Sequence, residues 1–424
     1  MLPVSVSRPV LYGAAAALVA GLLAGLPTTT QAAASTTDRQ IHHRSWSTPK
    51  QLQSGRHRGT AVQDARLVMT SPAARRRAGG TTFDVSRWTS PWVSPGFALT
   101  ELLPSWNATT PGKSRIKVLV RARTNGTRGS WDTLAVWARG DKHLKRRTLS
   151  GQPDDLGSVN VDTWRTNSSA GVKEWQLRVV LQKPSKARKS PAVSRIGATA
   201  SALPSVSSVP TSAPGPGRGI TLNVPSYSQM IHRGHSPQYG SGGQAWCSPT
   251  STSMVLGYYG RLPKPKQYAW VGAGHADPWV DHAARMTYDH AYRGAGNWPF
   301  NTAYAGNQLG ATGTAFVTRL RNLREAEDFI AAGIPLVVSI SFGSGQLTGA
   351  PISATAGHLL VIVGFTASGD VVVNDPAAST NTGVRRTYKR GQFENAWLPK
   401  SGGLTYVIAD KAHPLPARAG RGNW

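Results

Sequence analysis

Cys247 is the only cysteine in 424 residues, so no disulfide within the chain can staple the fold. Stability must come from buried apolar surface. Hydrophobic residues make up 39% of the chain and there are 14 tryptophans, enough for real cores, and the length suits two or three domains. Gly (45) and Pro (29) are abundant, which favours strands and loops over long helices.

The first residues carry an address rather than a fold. Arg8 precedes the apolar run VLYGAAAALVAGLLAGL at 10–26, and TTTQAAAS then offers small-residue cleavage sites near Ala33 or Ala34. Residues 1–34 are therefore read as a secretory signal peptide. The mature protein is expected to be secreted and extracellular, with no stable membrane insertion once the signal is removed. In an oxidising compartment a lone thiol points to an intermolecular bridge or a reactive group, against the plainer reading of a buried, inert cysteine. The net charge of +28 implies adhesion to anionic surfaces. For an exported chain the available partners are anionic cell-wall polymers, and no nucleic-acid-binding motif argues for DNA or RNA.

Residues 35–80 hold nine Lys/Arg against two Asp and few large apolar residues. They read as a basic linker or pro-segment. Arg75, Arg76 and Arg77 read either as a processing site or, preferred here, as a solvated charge block. From 81 to 200 the character changes to short, aromatic, β-rich runs such as SRIKVLVRAR and EWQLRVVLQ, separated by turn clusters such as TNGTRGS. In IKVLVRAR, Ile116, Val118 and Val120 alternate with Lys117, Leu119 and Arg121. This predicts a β-sandwich accessory domain over 81–200. A Ser/Pro/Gly linker spans 201–219. A second folded domain covers 220–412, and a basic tail with Arg418 and Arg421 covers 413–424.

Chemistry concentrates in the second domain. In CSPTSTSMVLGYYG, Pro249 suits the first turn of a helix and Gly260 its end, with Met254, Val255, Tyr258 and Tyr259 on one broad face. Cys247 then sits at a helix N-terminus, where free N–H groups and the dipole favour a thiolate. A thiolate nucleophile needs a proton shuttle. His358 opens the strand signal GHLLVIVGF after a small-residue loop. A turn at 367–370 leads into VVVNDP, a hairpin that ends in Asn374 and Asp375. Adjacent strand residues face opposite ways, so only one of that pair can orient the imidazole. A bulge or a longer turn is needed to bring Asp375 into register with His358. His232 and His235 remain alternatives, whereas His42, His43 and His57 lie in the basic segment.

These pieces, together with NVPSYSQ (223–229), resemble the papain-like cysteine peptidases, in the branch of the bacteriocin-leader (double-glycine) peptidases and their secreted actinobacterial relatives. The resemblance implies an α+β fold: a papain-like domain with an N-terminal helix packed on an antiparallel sheet, preceded here by the β-sandwich. It also implies a Cys247 nucleophile, His358 as general base and acid, Asp375 to orient it, and Gln229 as oxyanion donor, with Gln244 as rival. Two departures stand out. Ser248 follows the cysteine where the family usually has glycine, and HRGHSPQYGSGG lengthens the Gln229–Cys247 spacing.

The expected activity is hydrolysis of peptide bonds in a peptide or protein substrate through a thioester, with no cofactor and no metal. The histidines and aspartates of HADPWVDH (275–282) do not reproduce a recognised zinc spacing. GNWPFNTAYAG (296–306) reads equally as a cleft wall or a packed loop. LREAEDFIAAGIPLVVSI (323–340) reads as a helix followed by a buried strand. A cell-wall amidase and a non-catalytic envelope-binding protein are the alternative functions.

Overall fold

The strand Arg115–Arg123 buries every second side chain, so Ile116, Val118, Val120 and Ala122 point into one core and the basic residues between them point out. In the computed structural model, which describes residues 38–152, 155–311, 313–417 and 422–424, this strand lies between Asp132–Trp137 and Glu174–Pro184 in a seven-stranded antiparallel sheet. A second seven-stranded sheet is built around Glu101–Thr109 and Ala192–Ala202. Six fully buried tryptophans (Trp46, Trp88, Trp106, Trp137, Trp164 and Trp175) join the core between the two sheets. Burying such large rings is the main stabilising contribution available to a chain without cross-links.

Residues 40–78 are not a linker. Gln40–Trp46 pairs along its whole length with Ala192–Ala202, and four further short strands lie between Arg56 and Ala78. A helix at Pro49–Gln53 starts from Thr48, whose side chain forms a capping box with Gln51. The segment has few large apolar residues, but Ile41, Trp46, Leu52 and Leu67 are each buried, which decides the matter. The arginines occupy the outward positions. Arg75, Arg76 and Arg77 form an exposed edge strand, a placement that discourages pairing with other chains. The signal-peptide reading of 1–34 lies outside the described residues.

The third sheet has six antiparallel strands: Thr314–Arg319, Leu404–Ala409, Leu336–Phe342, Thr355–Phe365, Val371–Asn374 and Arg385–Tyr388, in that spatial order. Along Thr355–Phe365, Leu359, Val361 and Val363 enter one core while Leu360, Ile362 and Phe365 enter another. Burial on both faces is why GHLLVIVGF is continuously apolar. Helices Cys247–Tyr258, Pro278–Thr287 and Trp298–Leu309 contribute to the first core, and Leu323–Ala331 and Arg390–Ser401 to the second.

The expected α+β class is overturned. The chain is mostly β, with 36% strand and 21% helix in three antiparallel sheets. Among the described residues the longest helices have 12 residues. The residues expected to be a linker add strands, which moves the balance further.

The sandwich and the third sheet lie in one compact unit, Asp38–Trp424. GNWPFNTAYAG forms the start of the helix Trp298–Leu309, capped by the Asn297 side chain, and sends Phe300 against Trp106 of the sandwich. Asn107, fully sequestered, donates to the Ala315 carbonyl at 2.9 Å and accepts from the Ala315 N–H at 3.3 Å. Asn107→Ala is expected to cost about 1–3 kcal/mol, since it strands two buried backbone groups; equilibrium denaturant unfolding checks this. The chain end is not a loose tail either. Trp424 is buried against Phe329, and Asn423 donates to Glu325 and to the Arg319 carbonyl. Arg418 and Arg421 lie outside the described residues.

Candidate active site

Cys247 is the first residue of the helix Cys247–Tyr258. The helix is buried nearly all round rather than on one face, because it lies between the third sheet and two other helices. Most of its polar side chains find partners inside, although the buried Thr250 hydroxyl does not. Ser251 donates to the Leu359 carbonyl, Ser253 to the Pro249 carbonyl, and the Ser248 hydroxyl meets the Tyr406 hydroxyl at 3.0 Å. The serine after the cysteine therefore has a packed partner in Tyr406.

His358 lies on the strand Thr355–Phe365, opposite Ile340, and it acts on the Cys247 thiol, lowering that thiol's pKa. Asp375 follows directly on the strand Val371–Asn374. A register shift between Ile362 and Gly364 supplies the expected bulge, and His358 Nε2 reaches Asp375 Oδ1 at 2.7 Å. With Nε2 committed, Nδ1 is the nitrogen left for the sulfur. Asn374 points to the opposite face. It donates to the Val224 and Pro225 carbonyls and accepts from Arg385 Nε at 2.6 Å, so it holds a loop and not the imidazole. Tyr388, which the sequence reading missed, donates to Asp375 Oδ2 at 2.7 Å, and the Ala377 N–H donates to Oδ1 at 3.0 Å. Only its place on the neighbouring strand, Arg385–Tyr388, could have suggested it.

The electrostatics of the three groups are mutually dependent. Burial opposes the charged form of each. For His358 this is outweighed by the Asp375 carboxylate and the thiol, which push its pKa up to about 10. For Cys247 burial is outweighed by His358 and by the Leu359 and Ser248 N–H groups, and the thiol is held below its usual range. Asp375 is likewise lowered, against burial, by His358, Tyr388 and Ala377. All three shifts favour the charged row of thiolate, imidazolium and carboxylate over its neutral form.

The sulfur opens on a cleft of about 530 Å³ whose walls include Gln244, Tyr292, Gly294, Trp298, Gly357 and Lys400. Tyr292, 52% exposed, is the single exposed large hydrophobic residue among the described ones. Trp298 gives the 296–306 segment a face in the cleft as well as in the core. Gln229 is not at the cleft. It is buried, its N–H donates to the Pro376 carbonyl, and its Nε2 donates to the Gly243 carbonyl at 2.9 Å. It ties the loop after Asp375 to the loop before Cys247. Gln244, exposed on the cleft wall, is the glutamine that faces the sulfur's opening. His232 and His235 pair with Asp281 instead of approaching Cys247.

Residues 221–404 match the model of the Peptidase_C39 like family, and residues 42–201 match that of the peptidase C39 N-terminal domain. No curated protein matches the chain.

Proposed function

From the premise that this chain belongs to the peptidase C39-like family, in its actinobacterial form, we propose that it is an exported cysteine peptidase that cleaves amide bonds through a thioester. The observation that carries the reading is the row Cys247–His358–Asp375 at the wall of an open cleft, in which His358 hydrogen-bonds the carboxylate and lowers the pKa of the thiol. The thiolate attacks the substrate carbonyl carbon. The His358 imidazolium then gives its proton to the departing amine, leaving a thioester on Sγ. Neutral His358 takes a proton from water, and the resulting hydroxide releases the acid and restores the ion pair. Asp375 keeps the imidazole in one orientation and stabilises its charged form. Export is supported by the apolar run at 10–26 and its small-residue cleavage region.

Alkylation tests the ion pair without a substrate. Cys247 is expected to react with iodoacetamide at pH values well below the ordinary thiol range of about 8.5. The rate should fall to that of a free thiol when His358→Ala removes the imidazole. A rate that simply rises through the ordinary thiol range in the unmodified protein would end the proposal.

A second reading, attachment to an anionic envelope polymer, is supported by the outward face of the first sheet. Arg121 stacks on Trp92 and Trp131, Arg123 on Trp92, and Arg178 on Trp131, with centroid distances of 3.9–5.1 Å. Burial and then Arg87, Arg121, Arg56 and Arg58 push the Arg178 pKa down to about 10. A polyanion would relieve this crowding of positive charge. Binding to a polyol-phosphate polymer is expected to weaken steeply between low and physiological salt; sedimentation with the polymer measures it, and salt-insensitive retention would contradict it. A cell-wall amide is then the nearby substrate class.

A further inference from the structure

His232 and His235 belong to the insertion that lengthens the path from Gln229 to Cys247, and His275 and Asp281 come from the segment that leads into and through the start of the helix Pro278–Thr287. The fold brings all four together. His232 Nδ1 lies 3.0 Å from Asp281 Oδ2, and His235 Nδ1 lies 3.4 Å from Oδ1 and 3.5 Å from Oδ2. One ligand-type atom from each of His232, His235 and Asp281 falls within 4.8 Å of the others. His232 and Asp281 are completely buried. Among the described residues the carboxylate meets only these two imidazoles and the Ser236 hydroxyl, with no Lys or Arg. A buried carboxylate faced by two imidazoles needs a positive charge beside it.

We propose that His232, His235 and Asp281 bind a divalent transition-metal ion of the zinc type. Two imidazole nitrogens and one carboxylate oxygen are a usual donor set for zinc. Tetrahedral bonds of about 2.0–2.1 Å set neighbouring donors about 3.4 Å apart, close to the spacings of each imidazole from the carboxylate. Outer support is present for one of the two histidines, while Nε2 of His232 is buried without a partner. His235 Nε2 lies 3.0 Å from His275 Nδ1. When Nδ1 of His235 binds the metal through its lone pair, Nε2 carries the proton and donates it to His275. Such a partner on the far nitrogen is what fixes the tautomer of ligating histidines. His282, the neighbouring histidine, stays outside the set; its Nδ1 is buried elsewhere without a partner.

The ion would brace the approach to the sulfur. The His232 ring packs at 5.9 Å from the ring of Trp246, the residue before Cys247. A side chain at Gly242 would collide with the His232 carbonyl at 1.8 Å, so that turn is moulded on the histidine. Gln229 closes the same loop through Gly243. The long insertion thereby gains a physical purpose: it is a clip that carries its own ligands. This inference does not depend on the peptidase reading.

The test uses the full chain with Cys247→Ala, so that the sulfur cannot itself capture metal. After equilibrium dialysis against Zn²⁺, elemental analysis should find one tightly held equivalent, and Zn²⁺ should raise the thermal midpoint by several degrees. His235→Ala, at a partly exposed position, should keep the metal-free midpoint while losing both the uptake and the shift. A Co²⁺-loaded sample should show the visible absorption of tetrahedral nitrogen and oxygen ligation, absent in His235→Ala. Failure of the Cys247→Ala protein to retain an equivalent would overturn the proposal. Equal uptake in His235→Ala and in His232→Ala would do so as well.

Discussion

Cys247→Ala will lower kcat/KM by about 10⁴-fold or more, to the level that binding and polar surroundings alone can supply. The size of the loss follows from the proposed chemistry: no other thiol exists in the chain, and in the thioester route the sulfur is the atom that forms the covalent bond. The substitution removes a partly buried atom from a helix start whose other contacts are independent of it, so the fold should persist. Cys247→Ser should fare little better, because a hydroxyl at this position will not ionise as the thiol does. Peptides released from a proteome or from isolated envelope material by the parent protein, and absent with Cys247→Ala, would identify the bonds cut. Hydrolysis by Cys247→Ala at the parent rate would remove the nucleophile from the account. If neither protein cleaves anything while Cys247 still alkylates at low pH, the ion pair is intact and the substrate set was wrong.

The parts of the site that were legible in the sequence are those whose signal is local. A cysteine ahead of Ser-Pro, with helical spacing behind it, specifies a helix start wherever the helix later packs. The GHLLVIVGF and VVVNDP pair specifies a hairpin, and a hairpin puts its outer ends together, so His358 and Asp375 were readable as neighbours once a bulge was allowed. Alternation also separated Asn374 from Asp375 in principle; which one faced the imidazole needed the register. Tyr388 was invisible because its partner comes from strand pairing, not from any motif. Residues 40–78 failed for a related reason. Gln40–Trp46 is held by a strand about 155 positions away, and composition alone made its arginines look like solvated chain. Net charge reports how many basic residues there are, not whether alternate neighbours are buried. The fold class failed with it, since strands hidden in that segment are part of what makes the chain mostly β. Gln229 shows the converse. The motif was distinctive, but a glutamine's direction depends on what packs around it, and here Nε2 donates to the Gly243 carbonyl while Oε1 is buried without a partner.

Asp375→Asn is expected to lower kcat/KM by about 10²–10⁴-fold near neutral pH, with a change in pH profile that a packing defect would not produce. The carboxylate is the leading charge that holds the His358 pKa up at about 10 against burial. The imidazolium in turn holds the Cys247 thiol below its usual range. Removing the negative charge lowers the imidazole pKa and, with less imidazolium nearby, raises that of the thiol. In the parent protein activity requires pH above the thiol's pKa and below that of the imidazole, so the profile is a broad bell. In Asp375→Asn the acid limb should move up and the alkaline limb down, which narrows the bell as well as lowering it. Stability changes with a defined sign. The depressed pKa of Asp375 contributes stability above the unfolded value of about 3.9 that is lost as pH falls through the folded value. The acid unfolding midpoint of the parent protein should therefore be sharper than that of Asp375→Asn, which has no such carboxylate to protonate. Tyr388→Phe provides the graded comparison: it takes one hydrogen bond from Asp375 and leaves its charge, so it should shift the acid limb slightly and cost far less activity. A pH profile for Asp375→Asn that is lower but unchanged in shape would mean the carboxylate only packs, and the charge coupling along the row would have to be abandoned.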